Sequence, residues 1–155
     1  MKTGIQLTVD WYDEDVVGLS VAASNGSFSG MALVYAPLDF AKELASTLAG
    51  FPTRPGDRRT LELGTFEAGY AGGGARLVFH TLDGAGHPAV EVAVQADVHH
   101  GPPGSATVFI ELESARIDDF VLALDHMDLE RGATVRLVAA QQAVEADDPA
   151  AGTLV

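Results

Sequence analysis

The sequence predicts an α+β domain, with a large, mostly antiparallel sheet and two helices packed on one face. Three observations carry that prediction. Several runs alternate apolar and polar residues with the period of a half-buried strand. Two other stretches repeat apolar residues at helical spacing. Gly, Asn, Pro or Asp separates consecutive strand runs, as tight turns require.

Ile5, Leu7, Val9 and Trp11 share one parity and make a first strand, and Val17, Leu19, Val21 and Ala23 make a second. Ser24-Asn25-Gly26-Ser27 then supplies two residues that tolerate positive φ, so Phe28, Met31, Leu33 and Tyr35 return as an antiparallel partner. Pro37 suits a first helical turn; Leu38, Ala41, Leu44, Ala45 and Leu48 form the apolar stripe of a helix that Gly50 and Pro52 stop. Phe51 to Arg59 concentrates Pro, Gly and charge and reads as a surface crossing. Four more strands follow at Leu61 and Leu63, at Leu77 and Phe79, at Val90, Val92 and Val94, and at Val108, Ile110 and Leu112. Ser114 is placed to N-cap a second helix, in which Ile117, Phe120, Val121, Leu124 and Met127 form the stripe and Asp118, Asp119 and Asp125 lie off it. After Arg131-Gly132, Val135, Leu137 and Ala139 alternate as a last strand, in competition with a helical reading of Ala139 to Ala143. Residues 1–144 therefore form a single α+β domain, and the small, acidic segment 145–155 is expected to fray. A hairpin followed by a helix occurs twice, with Asp39-Phe40 and Asp119-Phe120 in matching parts. Any hairpin packed under a helix yields such an echo, and so does a duplicated unit with pseudo-twofold symmetry.

Composition excludes whole classes of function. The 155 residues carry 9 Lys and Arg against 22 Asp and Glu, a formal charge of −13. That field repels nucleic acid and anionic membranes, so neither is an expected partner. With no Cys there is no disulfide, no thiolate nucleophile and no Cys-based metal site. The N-terminal stretch has no apolar core of a signal peptide, and the expected address is the cytoplasm.

The motifs narrow the chemistry further. Gly72-Gly73-Gly74 leads into a strand and has no Lys nearby, whereas a phosphate cradle opens a helix. The five histidines, 80, 87, 99, 100 and 126, show no ligand spacing; the serines show no Gly-x-Ser-x-Gly elbow. No cofactor, metal or catalytic residue is therefore assigned. The segment Asp10 to Asp15 stands out, because four acids surround Trp11 and Tyr12. Aromatic anchors among charges that steer encounter are the composition of an interface. Against that, Trp11 continues the parity of Ile5, Leu7 and Val9 and so equally fits a place in the core.

AASNGSFSG and the later LELGTFEAGYAGGGARLVFHTLDGAGH resemble an uncharacterised family of short acidic bacterial proteins, over roughly residues 15–130. Some proteins of that kind are similar to immunity proteins encoded beside secreted toxins. The resemblance implies a bacterial origin and a fold, and it assigns no site. Charge and resemblance together lead to the expectation of a non-enzymatic acidic protein that recognises or neutralises a basic protein partner. Its expected contact residues are Trp11, Tyr12, Asp13, Glu14 and Asp15, with Asp118, Asp119 and Asp125 on the second helix. The alternatives are a homo-oligomeric accessory protein pairing with its own copy, and a small-molecule enzyme with a cleft in the sheet.

Overall fold

The computed structural model describes residues 2–141. The domain end at 144 and the acidic tail at 145–155 lie outside them. The chain forms β1 (Gly4–Tyr12), β2 (Val16–Ser24), β3 (Ser29–Pro37), α1 (Phe40–Leu48), β4 (Arg59–Gly64), β5 (Gly74–Thr81), β6 (Pro88–Gln95), β7 (Ser105–Glu111), α2 (Ser114–Asp125) and β8 (Thr134–Val138). Among the described residues this is an α+β fold with antiparallel strands and two helices. The strands divide into two four-stranded sheets rather than one, in the orders β3-β2-β1-β8 and β4-β5-β6-β7.

Those orders contain a pseudo-twofold relation. Each half of the chain reads three strands, a helix and a strand: β1-β2-β3-α1-β4, then β5-β6-β7-α2-β8. Each half forms three strands of its own sheet and donates its last strand to the first strand of the other half, β8 beside β1 and β4 beside β5. Buried side chains match: Ile5, Leu7 and Val9 correspond to Ala75, Leu77 and Phe79, and Ala41, Leu44 and Leu48 correspond to Ile117, Phe120 and Leu124. The duplicated-unit reading of the echo therefore describes the topology, although the two Asp-Phe dipeptides do not correspond. Asp39 precedes α1, whereas Asp119 sits inside α2.

One core joins both sheets and both helices. The strand β3 crosses all four strands of the second sheet, and its edge is tied there by the Gly73 N–H, which donates to the Leu33 carbonyl at 2.8 Å. A side chain at Gly73 would collide with the Gln95 carbonyl, so the glycine run marks a close backbone crossing rather than an anion cradle. On the other side α1 and α2 lie next to each other, α1 beside β4 and α2 beside β8. Both helices begin later or differently than their sequence signals indicate. Pro37 ends β3 opposite Val16, with Asp39 at the N-cap position of α1. Ser114 is the first residue of α2, and Glu113 occupies its N-cap position.

Candidate functional site

Two features on the surface present chemistry. The first is the end of the β1–β2 hairpin. The register of β1 against β2 shifts between Val9 and Trp11, so Asp10 forms a bulge. A bulge inverts the facing of the residues beyond it. Val9 lies in the core opposite Leu19, but Trp11 falls opposite Gly18, whose β3 neighbour is Tyr35. The indole lies on Gly18, makes an edge contact with the Tyr35 ring at 5.6 Å and remains 40% exposed. Continued parity therefore misplaces Trp11 in the core, and the outer face is its site. Tyr12, opposite Val17, belongs to the other side of the strand and is 46% exposed at its end. The two aromatics thus do not form one anchor.

Asp13, Glu14 and Asp15 are exposed at the hairpin tip, as expected. Asp13 is also structural: its carboxylate accepts the N–H groups of Asp15 at 2.8 Å and Val16 at 2.9 Å. Those bonds lower its pKa below the ordinary carboxylate value. Glu14 and Asp15 make no such side-chain bonds among the described residues. Asp10 accepts the Ser20 hydroxyl at 2.7 Å, which holds the bulge to β2.

The second feature is a groove of about 390 Å³ between the helices, lined by Lys42, Ala45, Ser46 and Ala49 of α1 and its turn and by Asp118, Val121, Leu122 and Asp125 of α2. Each set has the spacing i, i+3, i+4, i+7, which is one helical face. On α2 this face is distinct from the buried Ile117, Phe120 and Leu124. The pseudo-twofold relation matches Lys42 with Asp118, Ala45 with Val121, Ser46 with Leu122 and Ala49 with Asp125. One wall is small and the other is apolar between two carboxylates. Lys42 spans the groove's end, donating to the Asp125 carbonyl at 2.6 Å with its carboxylate 3.5 Å away. Both partners are exposed, so the pair adds little stability. Of the acids expected on α2, Asp118 and Asp125 line this groove and Asp119 is exposed outside it. Lys42, Ala45 and Leu122 had no sequence signal as site residues, since which helix faces meet is decided by tertiary packing.

Most remaining polar side chains bond locally, whereas the His99 ring reaches the Ala68 carbonyl of another loop, Asn25 the Phe109 carbonyl on β7 and Arg59 the carbonyls at the end of α1. His87 contacts Asp83 at 2.6 Å and His100 contacts Asp97 at 2.7 Å, while rings of His80, His99 and His126 meet backbone carbonyls. Asp83 is shifted down chiefly by the His87 ring, and Asp97 chiefly by the His99 N–H. Among the described residues no group of three or more His, Asp or Glu is arranged to hold a metal ion. No helix among them is long and apolar enough to cross a membrane. No protein-family model matches the chain, and neither a curated protein nor a solved structure does.

Proposed function

We propose that the chain is a non-enzymatic cytoplasmic binding protein that recognises a basic protein partner, in the manner of an immunity protein. The observation that carries this reading is the groove between α1 and α2. Its apolar floor between Asp118 and Asp125 fits an apolar-faced helix of the partner flanked by Lys or Arg, and the small wall of Ala45, Ser46 and Ala49 admits close approach. The acids at the hairpin tip and the charge of −13 supply the steering field that brings such a partner in.

The test uses short helical peptides that carry a Leu stripe flanked by Lys, in both stripe registers, with Glu-flanked versions as controls. Amide shifts are mapped by NMR on the full chain. Binding of a Lys peptide with shifts in α1 and α2, weakened at least tenfold by Asp118→Asn with Asp125→Asn, is the expected outcome. Equal binding of the Glu peptides, no binding by any peptide at millimolar concentration, or shifts confined to other surfaces would overturn the groove assignment.

A further inference from the structure

We infer that the outer face of the sheet β3-β2-β1-β8 is the seat of a second copy of this chain. The strand β3 carries the first argument. Ala32, Val34 and Ala36 face the core and are at most 2% exposed, while Met31, Leu33 and Tyr35 alternate with them on the other side. A strand apolar on both parities is the pattern of one covered on both faces. Among the described residues the other face is bare, with Met31 59% and Leu33 51% exposed.

Register extends the patch across the sheet. Beside Met31, Leu33 and Tyr35 stand Ala22, Ser20 and Gly18 on β2. Gln6, Thr8 and Trp11 follow on β1, with Arg136 and Thr134 next to the first two on β8. The charges among these rows are Arg136, bonded to Gln6, and Asp10 at the bulge, bonded to Ser20. A face with one acid and one base is exceptional on a chain of charge −13.

That neutrality selects the occupant. A basic partner gains nothing from a face without net charge, and an acidic twin can reach contact only through such a face. The shape is also self-complementary. A ridge of large side chains lies beside a trough of Ala22 and Ser20, so a twofold axis through the face sets each ridge over the other copy's trough. Strands about 4.8 Å apart and about 3.3 Å per residue give a footprint of roughly 500 Å² per copy. The total of about 1,000 Å² is at the lower bound for a specific interface, the size of weak and transient contacts, so the test extends to high protein concentration.

Sedimentation equilibrium of the full chain from 1 µM to 1 mM tests this, read together with the emission of Trp11, the one Trp in the sequence. The mass is expected to rise from 16.1 kDa toward twice that value, with Trp11 emission moving to shorter wavelength in step. Leu33→Asp should keep the mass at the monomer value with unchanged far-UV circular dichroism, Leu33→Met should retain the dimer, and Asp118→Asn with Asp125→Asn should leave it unaffected. A wild-type chain that stays monomeric at 1 mM overturns the inference and leaves the face to a different protein. A dimer that is indifferent to Leu33→Asp, or that leaves Trp11 emission unchanged, assigns the contact to another surface. Neither result bears on the helix groove.

Discussion

Gly18→Ala isolates the arrangement that turns Trp11 outward. A methyl group on Gly18 would lie 2.4 Å from the indole Nε1 and 2.6 Å from Cε2, closer than any packed Cβ contact. Gly18 has no positive φ, so the backbone accepts Ala and the indole must move instead. Lifting the ring gives up its edge contact with Tyr35, a pair of the kind worth about 0.5–1.5 kcal/mol. It also re-exposes roughly 60 Å² of apolar surface, about 1.5 kcal/mol at about 25 cal/mol/Å². Removing a strand glycine returns about 0.5–1 kcal/mol, so the net loss is about 1–2.5 kcal/mol. In a domain of this size that lowers the thermal midpoint by about 2–10 °C. Urea unfolding followed by circular dichroism gives the energy, and the emission maximum, measured in dilute monomer, should move to longer wavelength. Trp11→Phe in the same background should remove most of the penalty, because the smaller ring leaves room for the methyl. A Gly18→Ala protein with unaltered emission and unaltered midpoint would show that the indole does not rest on β2, and the bulge would then have no role in presenting it.

Phe120, 1% exposed at the centre of the α2 stripe, should cost about 3–5 kcal/mol when replaced by Ala; an unchanged urea midpoint would remove α2 from the core. Asp57 accepts the Thr53 N–H and an Arg59 guanidinium N–H at 3.0 Å, and the Thr53 bond leads in drawing its pKa from 3.8 down to about 2. Because the folded value is the lower one, this stability is present above about pH 4 and is lost as pH falls toward 2, so wild type should lose midpoint more steeply over that window than Asp57→Asn. The hairpin variant Asp13→Asn, Glu14→Gln, Asp15→Asn should fold normally, since Asn keeps the acceptor for the Asp15 and Val16 N–H groups, whereas Asp13→Ala should lower the midpoint. With a verified basic partner the same triple variant should associate more slowly and with a flatter salt dependence; an unaltered on-rate would make this tip ordinary solvated surface.

The elements were legible because periods of 2 and 3.6 survive in Ile5, Leu7 and Val9 and in Ile117, Phe120 and Leu124. Facing was not legible. Nothing in Val9-Asp10-Trp11 announces a bulge, so parity carries Trp11 inward by one residue too many. In β3 the larger residues Met31, Leu33 and Tyr35 are the more conspicuous apolar set, yet the smaller set Ala32, Val34 and Ala36 is buried, because β3 crosses the second sheet closely and only small side chains fit. Gly30 shows the same constraint, since a Cβ there would sit 2.8 Å from Ala106 and Val94. The division into two sheets rests on β1 pairing with β8 across most of the chain, and no local pattern encodes a partner that distant. The acids Asp118 and Asp125 were visible as a helix flank, but Val121 between them reads as part of the core stripe, and only the packing of α1 beside α2 makes that face a groove wall.

The pseudo-twofold relation separates what the fold requires from what it leaves free. Equivalent positions share a backbone environment, so packing asks the same of both, and the buried sets answer alike: Leu44 with Phe120, Leu48 with Leu124. The outward positions do not. Met31, Leu33 and Tyr35 on β3 correspond to Thr107, Phe109 and Glu111 on β7, and the neighbouring outer rows of that second sheet carry Glu91 and the Glu62–Arg76 ion pair, with Arg76 stacked 4.6 Å over the Phe66 ring. One sheet is therefore finished with charge for contact with water, and its counterpart is left without net charge and with an apolar ridge along β3. The helix groove breaks symmetry in the other direction, small on the α1 wall and acidic on the α2 wall. Stability of a single chain gives no reason for either difference, because a symmetric choice would fold as well at both places. Two departures of opposite chemistry, on different faces, fit two different occupants: a like-charged twin on the neutral sheet and a basic segment between the helices.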